Sequence, residues 1–419
     1  MTLEFNRLVE QVYRMGAMLE QIQQNHDDVL ALAKARFAAA GDLKEVWRRI
    51  EWVRGSAVSG YRGAAPPAIY NAEAVNVIGD APDMPANVTL LAGDGSQVYP
   101  DADAPAHYYL LNIGLYLYRY GTDETPQAVS EPSLFYHPAH VHDKYGKLVS
   151  ARAVDDRRTV AEMRALADAA WECRAEQPLV ALYDNRLMFL PSNDAQDSDE
   201  LMTNFLAALA KLQDSSAILG GYIDKPRSKR FIQLLYLLSM EDEDQLKANQ
   251  HLLSRAGDLE VLSDEWFFDV MLRPGQRSAI MVQNSPQNKA FRDRGEDYEI
   301  AFFYLKVAND HAHRVVRVDL PLWVARQPAQ VDILHAVLLD QCRLQGRNPY
   351  PYALTRADEL AWVSGKDKDK LAELVNAQVR RVKAELARRT LAAKAQGKLL
   401  ARSEQRVFSL RGEEIIDER

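Results

Sequence analysis

The chain has 419 residues, of which 47% are hydrophobic and 26% are charged, and this length suffices for one large domain or two ordinary ones with a well-buried core. The composition excludes a disordered chain, a collagen and a disulfide-stabilised mini-protein. The 51 basic and 59 acidic residues give a formal net charge of -8 at pH 7, which excludes a generally basic nucleic-acid coat. Any DNA-binding surface must therefore be local.

The cysteines and the N-terminal residues indicate the cellular compartment. Cys173 and Cys342 are far apart and have no CxxC partner, so the sequence predicts neither a disulfide framework nor a thiolate zinc site. Glu4, Arg7 and Glu10 interrupt the apolar residues of the N-terminus, which is not the pattern of a signal peptide. Because no stretch approaches the roughly 20 apolar residues of a membrane span, we expect a cytoplasmic protein without membrane contact.

Periodicity predicts helical extensions at both ends of a mixed domain. Apolar residues recur at helical spacing from Leu3 to about Arg54, which predicts an N-terminal helical arm over residues 1–65. The first predicted strand of the domain is 88–92, which stops at the turn 93–96, and residues 108–120 also have the composition of a strand or hairpin. The other predicted strands are 179–183, 217–223, 278–282, 300–307 and 315–320. The later predicted helices are 156–175, 200–215, 231–254, 328–345, 353–363 and a long charged helix from 365 to about 406. We therefore expect an α/β or α+β domain at 85–365 and a charged C-terminal helix and tail at 366–419.

Familiar catalytic motifs are absent from the sequence. It contains no GxxxxGK[ST] phosphate loop, no GxGxxG after a strand, no GxSxG elbow and no HExxH. His137, His140 and His142 have a spacing that could bind a metal. A solvated loop is the favoured interpretation, since no carboxylate or cysteine at helical spacing completes a known arrangement.

Four carboxylates follow an order that points to metal-dependent phosphodiester chemistry. Asp94 and Asp184 each close a predicted strand, Glu162 lies on the helix between them, and Asp358 lies on a late helix. This is the order of the acidic ligands in ribonuclease H-like nucleases, where acids from separate elements hold two divalent ions about 4 Å apart. Mg²⁺ and Mn²⁺ prefer such hard oxygen ligands. The competing interpretation is that each strand-end Asp caps a turn or a helix.

Five phrases spread over about residues 88–365 carry further information. The phrases are LAGDGSQVYPD at 91–101, LYDNR at 182–186, GGYIDKPRS at 220–228, RVDLP at 317–321 and YPYALTRAD at 350–358. Together, and in this order, they resemble the NurA nuclease family. The Asp-Gly-Ser phrase and the Tyr-Pro-Tyr-Ala-Leu-Thr-Arg-Ala-Asp phrase are the most specific of the five.

The resemblance implies a fold, an activity and partners. The implied fold is α/β, with a ribonuclease H-like core whose mixed sheet is flanked by helices. The implied activity is a Mn²⁺-dependent (or Mg²⁺-dependent) exonuclease and endonuclease on single-stranded and duplex DNA ends, with two ions per site. The implied partners are a second copy of the chain and a HerA-type hexameric translocating ATPase.

The resemblance also implies roles for the four acids. Asp94 matches the first metal acid of the family and Asp184 the second. Glu162 is the match for the helix acid. Glu172 or Glu131 are alternatives, since this segment can be aligned with the family pattern in more than one way. Many members of the family have His where this chain has Asp358, so a carboxylate replaces an imidazole at that position and keeps a hard metal ligand.

Two charged segments leave alternatives open. The basic turn Lys225, Arg227, Lys229 and Arg230 suits phosphate contacts, with a solvated basic loop as the equal alternative. Arg317 beside Asp319 can form an internal ion pair or contact DNA. The C-terminal helix carries an apolar stripe that favours packing on the dimer or core over an arm gripping DNA or the ATPase; the stripe is Leu371, Val375, Val379, Val382 and Leu386.

Two other functions compete with a nuclease. A non-catalytic DNA-binding or adaptor subunit on the same scaffold is possible in principle, because fold alone does not give activity. The presence of the acids in order argues against it. An Argonaute-like or transposase-like enzyme would need a guide-binding or target-capture domain, for which the remaining length leaves no room.

Overall fold

The computed structural model describes residues 5–55, 61–192 and 197–382 and the two short pairs 407–408 and 414–415. The N-terminal arm consists of two helices, α1 (Phe5–Ala39) and α2 (Leu43–Gly55). The break lies at Gly41 and Asp42, where the Asp42 carboxylate accepts a hydrogen bond from the Lys44 amide and so starts α2. The end of α1 belongs to the core, because Phe37 is buried there.

A mixed sheet of eleven strands forms the centre of the described part of the chain. The strands are β1 (Ala64–Ala65), β2 (Ile78–Gly79), β3 (Val88–Val98), β4 (Tyr109–Tyr120), β5 (Gln127–Phe135), β6 (Leu179–Tyr183), β7 (Ile218–Ile223), β8 (Arg277–Ser278), β9 (Met281–Gln283), β10 (Ile300–Ala308) and β11 (His313–Pro321). Two further short strands, β12 (Val407–Phe408) and β13 (Glu414–Ile415), pair with each other.

One half of the sheet has the order β5-β4-β3-β6-β7. Strands β3, β4 and β5 form an antiparallel meander, while β6 pairs in parallel with β3, and β7 pairs in parallel with β6. The central strand β6 is buried along its whole length, as expected for a parallel strand covered on both faces. The predicted α/β fold, with a mixed sheet flanked by helices, is confirmed.

The other half of the sheet extends from β7 through the antiparallel strands β11, β10, β9 and β1. The hairpin of β10 and β11 pairs along its full length, from Ile300 with Pro321 to Ala308 with His313. Strand β8 bridges β10 and β2. Since β1 and β2 lie before residue 85, the sheet also uses residues from outside the predicted 85–365 domain.

Helices cover both faces of the sheet. The remaining α-helices are α3 (Pro138–Val141), α4 (Ala151–Glu172), α5 (Ser198–Asp214), α6 (Arg230–Leu238), α7 (Glu243–Asn249), α8 (Asp264–Met271), α9 (Pro286–Arg292), α10 (Leu322–Ala325), α11 (Pro328–Arg343), α12 (Tyr352–Ala361) and α13 (Gly365–Val382). Helix α4 packs near β3 at Gly93, and α12 packs on β4 at Gly114. A Cβ at Gly220 of β7 would lie 2.7 Å from Leu334 of α11, so α11 also approaches the sheet closely.

Several predicted element boundaries are wrong. The single helix predicted over 231–254 is α6, α7 and a 3₁₀ turn, because the Asp242 side chain caps a new helix by accepting from the Gln245 amide. The helix predicted at 156–175 starts earlier, at Ala151, where the Ser150 hydroxyl caps it. Strand β5 and helix α8 have no counterpart among the predicted elements.

The C-terminal helix is described only as far as Val382. The remainder of the helix predicted to about residue 406, including Leu386, lies outside the described residues. No residue of α13 is buried, and Leu374 and Val382 are exposed. Among the described residues, no helix combines the length and apolar character needed to cross a lipid bilayer.

Candidate active site

Asp94 lies inside strand β3 and not at its end. The strand continues to Val98, and Asp94 pairs with Gly114 of β4. The strand end predicted at Gly93 is wrong, because a glycine inside a strand often marks a close approach by another element and not a stop. The Asp94 carboxylate accepts a hydrogen bond from the neighbouring Gly95 amide, at 2.8 Å.

Helix α12, which carries Asp358, packs on Gly114, the residue of β4 that pairs with Asp94. A Cβ at Gly114 would lie 2.2 Å from the Ala357 carbonyl oxygen and 2.6 Å from the Ala361 nitrogen, so only glycine permits this contact. Directly paired residues of neighbouring strands project from the same face of a sheet. Asp94 therefore faces the side of the sheet on which α12 lies.

Hydrogen bonds fix the end of α12 on the same strands. The Ser96 hydroxyl and the Asn112 amide both donate to the Ala361 carbonyl oxygen. The Asn112 amide also donates to the Leu360 carbonyl oxygen at 3.1 Å. These contacts hold the helix that carries Asp358 in a defined position over β3 and β4.

Asp184 follows the last residue of β6, as predicted from the sequence. The hydroxyl group of Tyr350 donates a hydrogen bond to its carboxylate. Tyr350 lies just before α12, and its ring packs edge to face on Tyr222 of β7 with centroids 5.2 Å apart. The segment that carries Asp358 thus also orients Asp184.

The three aspartates share one electrostatic environment. Burial raises the pKa of Asp94 to about 7, and the negative charges of Asp184 and Asp358 raise it as well. Burial also raises the pKa of Asp184, with further contributions from Asp358 and Asp224, while the Tyr350 hydrogen bond lowers it. Clustered carboxylates with raised pKa values are typical of sites that bind cations or perform acid-base chemistry.

Glu162 approaches β3 from the opposite face, on helix α4. A Cβ at Gly95 would lie 2.5 Å from Glu162 Oε1, so Gly95 leaves the space through which this side chain reaches the strand of Asp94. Its Oε2 accepts a hydrogen bond from the Tyr183 hydroxyl at 3.0 Å, and Arg158 Nε lies 3.1 Å from Oε1. The glutamate is 3% exposed.

The charge of Glu162 is coupled to that of the aspartates. Burial raises its pKa to about 8, the positive charge of Arg158 opposes this shift, and Asp94 and Asp184 raise the pKa further. The two alternatives for the helix acid, Glu131 on β5 and Glu172 at the end of α4, are both exposed. Neither contributes to the pKa shifts of Asp94 and Asp184.

Sequence reasoning missed Arg158 and Tyr350. Arg158 lies one helical turn before Glu162 and donates to Gln97 Oε1 at 2.9 Å and to the Gly95 carbonyl oxygen at 3.3 Å. The spacing of four residues between Arg158 and Glu162 on a predicted helix could have indicated this ion pair. Tyr350 begins the phrase that ends at Asp358, but only the fold reveals its contact with Asp184.

The residues present fit hard divalent cations. In the described segments, no three His, Cys, Asp or Glu side chains are arranged to hold a metal ion as they stand. The donors are nevertheless all carboxylates, the ligands preferred by Mg²⁺ and Mn²⁺. Glu162 Oε1 is buried with Arg158 Nε 3.1 Å away as its cationic neighbour. The aspartates repel one another, and a bound dication would relieve that repulsion.

The four residues of the predicted basic turn do not all lie at the same site. Lys225, Arg227 and Arg230 line one cleft beside the loop that follows Asp184. The amine of Lys229 instead donates to the Glu260 carbonyl oxygen. The structure therefore places three of the four predicted DNA-binding residues together.

The remaining candidates have structural roles. His137 caps α3 by accepting from the Ala139 amide, and His142 Nε2 lies 2.9 Å from His107 Nδ1. The histidines of the predicted loop do not meet around a common point. Arg317 and Asp319 form an internal ion pair, with Nε 2.7 Å from Oδ1 and both side chains buried.

A family model of the NurA domain matches residues 88–363. The chain belongs to the NurA domain family. Similar solved structures include the crystal structure of the NurA nuclease from Sulfolobus solfataricus, with 11% identity, coverage of 91% of this chain and 98% of that chain, and a TM-score of 0.48. A crystal structure of NurA with manganese shows 10% identity, covers 71% of this chain and 91% of that chain, and has a TM-score of 0.37. No curated protein matches the sequence. Membership of the family confirms the resemblance and supports a nuclease role.

Proposed function

We propose that this chain is a metal-dependent deoxyribonuclease that acts on DNA ends as an exonuclease and endonuclease. The observation that carries the proposal is the convergence of Asp94, Asp184 and Asp358, from three separate elements, in one mutually repulsive environment in which the first two are half-buried. Glu162 joins this environment from the other face of the sheet, through the space at Gly95. Such a cluster is costly without cations and suited to binding them.

Each side chain has a separate task in this proposal. Asp94, Glu162, Asp184 and Asp358 would hold two divalent ions, Mn²⁺ or Mg²⁺. When bound, such a pair of ions stabilises the attacking and leaving oxygens of a phosphodiester. Tyr350 holds the Asp184 carboxylate in place through its hydroxyl, and Arg158 holds Glu162 against β3.

The proposal is tested with purified full-length chain and end-labelled DNA. We expect cleavage of single-stranded and duplex substrates when Mn²⁺ is added and none in chelator. Asp94→Asn and Asp184→Asn should each abolish cleavage without loss of the fold, because removing a charge from a crowded acid cluster need not destabilise the metal-free protein. Wild-type turnover in either variant would contradict the assignment.

We also propose a homodimer that works with a HerA-type hexameric translocating ATPase. Its support is apolar surface that the described residues leave uncovered on α1 and α13, including Tyr13 and Val382. Exposed apolar surface on a helix favours burial between chains. Co-sedimentation of the purified chain with a purified HerA-type ring tests the second partner, and an unchanged sedimentation profile would contradict it.

A further inference from the structure

A strongly basic cleft of about 480 Å³ lies between the loop after β6 and the turn after β7. Six cationic side chains and one acidic side chain, Asp319, line it. The cationic ones are Arg62, Arg186, Lys225, Arg227, Arg230 and Arg317. Only Lys225, Arg227 and Arg230 come from the predicted basic turn. Arg62 and Arg186 come from distant parts of the sequence, so the fold creates a concentration of positive charge that no single segment contains.

Four of the five arginines of the cleft have no ion-pair partner among the described residues. Arg62, Arg186 and Arg227 are exposed and Arg230 is half-buried, and none of their side chains makes a hydrogen bond or ion pair with any residue that the structure describes. Arg317 also reaches the cleft, but Asp319 already neutralises it. Burial lowers the pKa of Arg230, and the like charges of Arg317 and Arg62 lower it further. Repelling arginines without partners favour an external anion.

Buried hydrogen bonds hold the turn side of the cleft rigid. The fully buried Asp264 carboxylate accepts from the Ser228 hydroxyl and from the amides of Phe231 and Ile232. The Tyr304 hydroxyl donates to the same carboxylate at 2.6 Å. The turn that presents Arg227 and Arg230 is therefore fixed before any ligand binds.

The opposite wall is fixed in the same way. The Leu187 amide donates to Asp319 Oδ2 at 3.2 Å, while Asp319 Oδ1 binds Arg317. The guanidinium of Arg317 lies 4.0 Å from the centre of the Phe302 ring. The loop that carries Arg186 is thus anchored to the floor of the cleft, which is a preorganised site.

The cleft adjoins the acid cluster. Arg186 is two residues beyond Asp184, and Asp224, which precedes Lys225, contributes to the electrostatic environment of Asp184. Arg317 and Asp319 of the cleft pair with Ile223 and Gly221 and so project from the sheet face opposite the aspartates. A strand held in the cleft would pass the end of β6, where Asp184 lies, to reach them. The cleft, at about 480 Å³, is of a size to hold part of a single strand.

We propose that this arginine cleft (Arg62, Arg186, Lys225, Arg227 and Arg230) binds consecutive phosphates of a single DNA strand and leads that strand to the acids. The inference rests on the proposed nuclease function and adds Arg62 and Arg186 to the predicted strand contacts. Arginine forks bind two oxygens of a phosphate group, and the chain bends around one wall of the cleft at Pro226.

The test measures DNA binding separately from cleavage. Full-length Asp94→Asn protein is titrated in chelator with a labelled single-stranded oligonucleotide at several salt concentrations. Introducing Arg62→Ala and Arg186→Ala together should weaken binding at least tenfold and reduce the salt slope by about 0.7 for each phosphate that the variant no longer neutralises. The corresponding Arg→Lys pair should recover part of the affinity, since charge returns without the fork.

A matched pair of substitutions shows whether the effect belongs to the cleft. Arg152→Ala with Arg343→Ala removes the same charge from exposed positions outside the cleft and should leave affinity nearly unchanged. Matching melting temperatures show that all variants are folded. Pyrophosphate and a free nucleotide are added as competitors, and competition as strong as that of the oligonucleotide would overturn the strand assignment in favour of a free phosphate ligand.

Different experimental results would contradict the proposal for the cleft and the proposal of a nuclease function. Unchanged affinity and salt slope in the Arg62 and Arg186 variant, with a wild-type chain that cleaves DNA, would overturn the cleft alone. Loss of strand binding in that variant, with a wild-type chain that never cleaves, would support the cleft and overturn the nuclease. Tighter binding of duplex than of single strand would also contradict the proposal.

Discussion

At the scale of single residues, Gly95 decides whether Glu162 can reach the other acids. An alanine there would place its Cβ 2.5 Å from Glu162 Oε1, 2.8 Å from Cγ and 3.0 Å from Ile113 Cδ1. The side chain would have to leave its contacts with Tyr183 and Arg158.

We therefore expect Gly95→Ala to reduce cleavage severely, with a stability cost of about 1–3 kcal/mol from overpacking. Gly346→Ala is the matched control, because a Cβ at Gly346 meets nothing within 4 Å. Turnover and urea unfolding are measured on both variants. A Gly95→Ala protein with wild-type turnover would show that the position of Glu162 does not matter.

The raised pKa of Asp94 makes the metal-free protein sensitive to pH. The folded pKa is about 7, against 3.8 for the unperturbed group. Between these values the folded chain keeps a proton that the unfolded chain has released, so this carboxyl makes stability fall as pH rises from about 4 to about 7.

Asp94→Asn removes that charge permanently. In chelator, we expect the variant to melt a few degrees higher than wild type at about pH 8 and at nearly the same temperature at about pH 4. Thermal unfolding at both pH values checks this. An equal difference at the two pH values would show that the substitution acts through packing and not through charge.

Asp358 is the last of the four predicted metal acids along the chain. It is exposed and lies near the end of α12, three residues before Ala361. A carboxylate at this end of a helix is opposed by the helix dipole, so a capping role for Asp358 is excluded.

Asp358→Asn should therefore lose most cleavage without losing stability. Asp358→His should recover part of the activity, preferentially with Mn²⁺, because Mn²⁺ accepts imidazole better than Mg²⁺ does. Melting temperature and turnover with each metal are measured on both variants. Full turnover of the Asn variant would leave three acids in the site.

At the scale of elements, the contact between α12 and the sheet brings the late acid to the early ones. A Cβ at Gly114 would meet the backbone of α12 at Ala357 and Ala361, which cannot move without moving the helix. We expect Gly114→Ala to shift α12 away from β4, to cost about 1–3 kcal/mol and to reduce turnover more than DNA binding. Gly365→Ala, where a Cβ meets nothing within 4 Å, is the control, and equal turnover of the two variants would contradict this role.

Strand β6 could be predicted from sequence because it buries an apolar run, whereas the solvent-facing strand β5 could not. Strand β6 is an uninterrupted apolar run, and its bounds agree with the strand predicted at 179–183. Strand β5 is exposed along nearly all of its length, so it has no buried face to produce an alternating pattern.

The acids could be predicted individually, but their surroundings could not. Asp94, Glu162 and Asp184 occur in the sequence in the same order as the elements with which they are associated, namely β3, α4 and the end of β6. The contact of Gly114 with α12 joins residues more than two hundred positions apart, and no local rule reports it. The same limit applies to Arg62, whose place in the arginine cleft depends on tertiary packing.

At the scale of the whole molecule, the net charge of -8 conceals two adjoining regions of opposite sign. The aspartates occupy the end of β6, the interior of β3 and the last turns of α12, and the arginine cleft begins two residues beyond Asp184 on the loop after β6. Cations bound at the acids would reverse the local sign there. A DNA strand would then meet a continuous positive surface on a protein that is acidic overall.

The N-terminal half of α1 is the strongest candidate for contact with a second copy. Its C-terminal half is anchored by His26 against Trp266 and by Phe37 against Phe231. Before this anchored part the helix exposes Phe5 by 70% and Tyr13 by 76%. Apolar side chains left uncovered along two or more helical turns indicate burial against a partner.

Removal of the first 25 residues should therefore convert a dimer into a monomer while leaving the melting temperature nearly unchanged, since none of the side chains described in that segment is buried. Light scattering and sedimentation velocity measure the mass over a range of concentrations. A full-length variant with Val9→Glu and Val12→Glu tests the same surface without shortening the chain, because two buried carboxylates would oppose association. A trimmed chain that still dimerises and still binds the HerA-type ring would show that α1 is not the interface, and the uncovered α13 surface would then be the next to test.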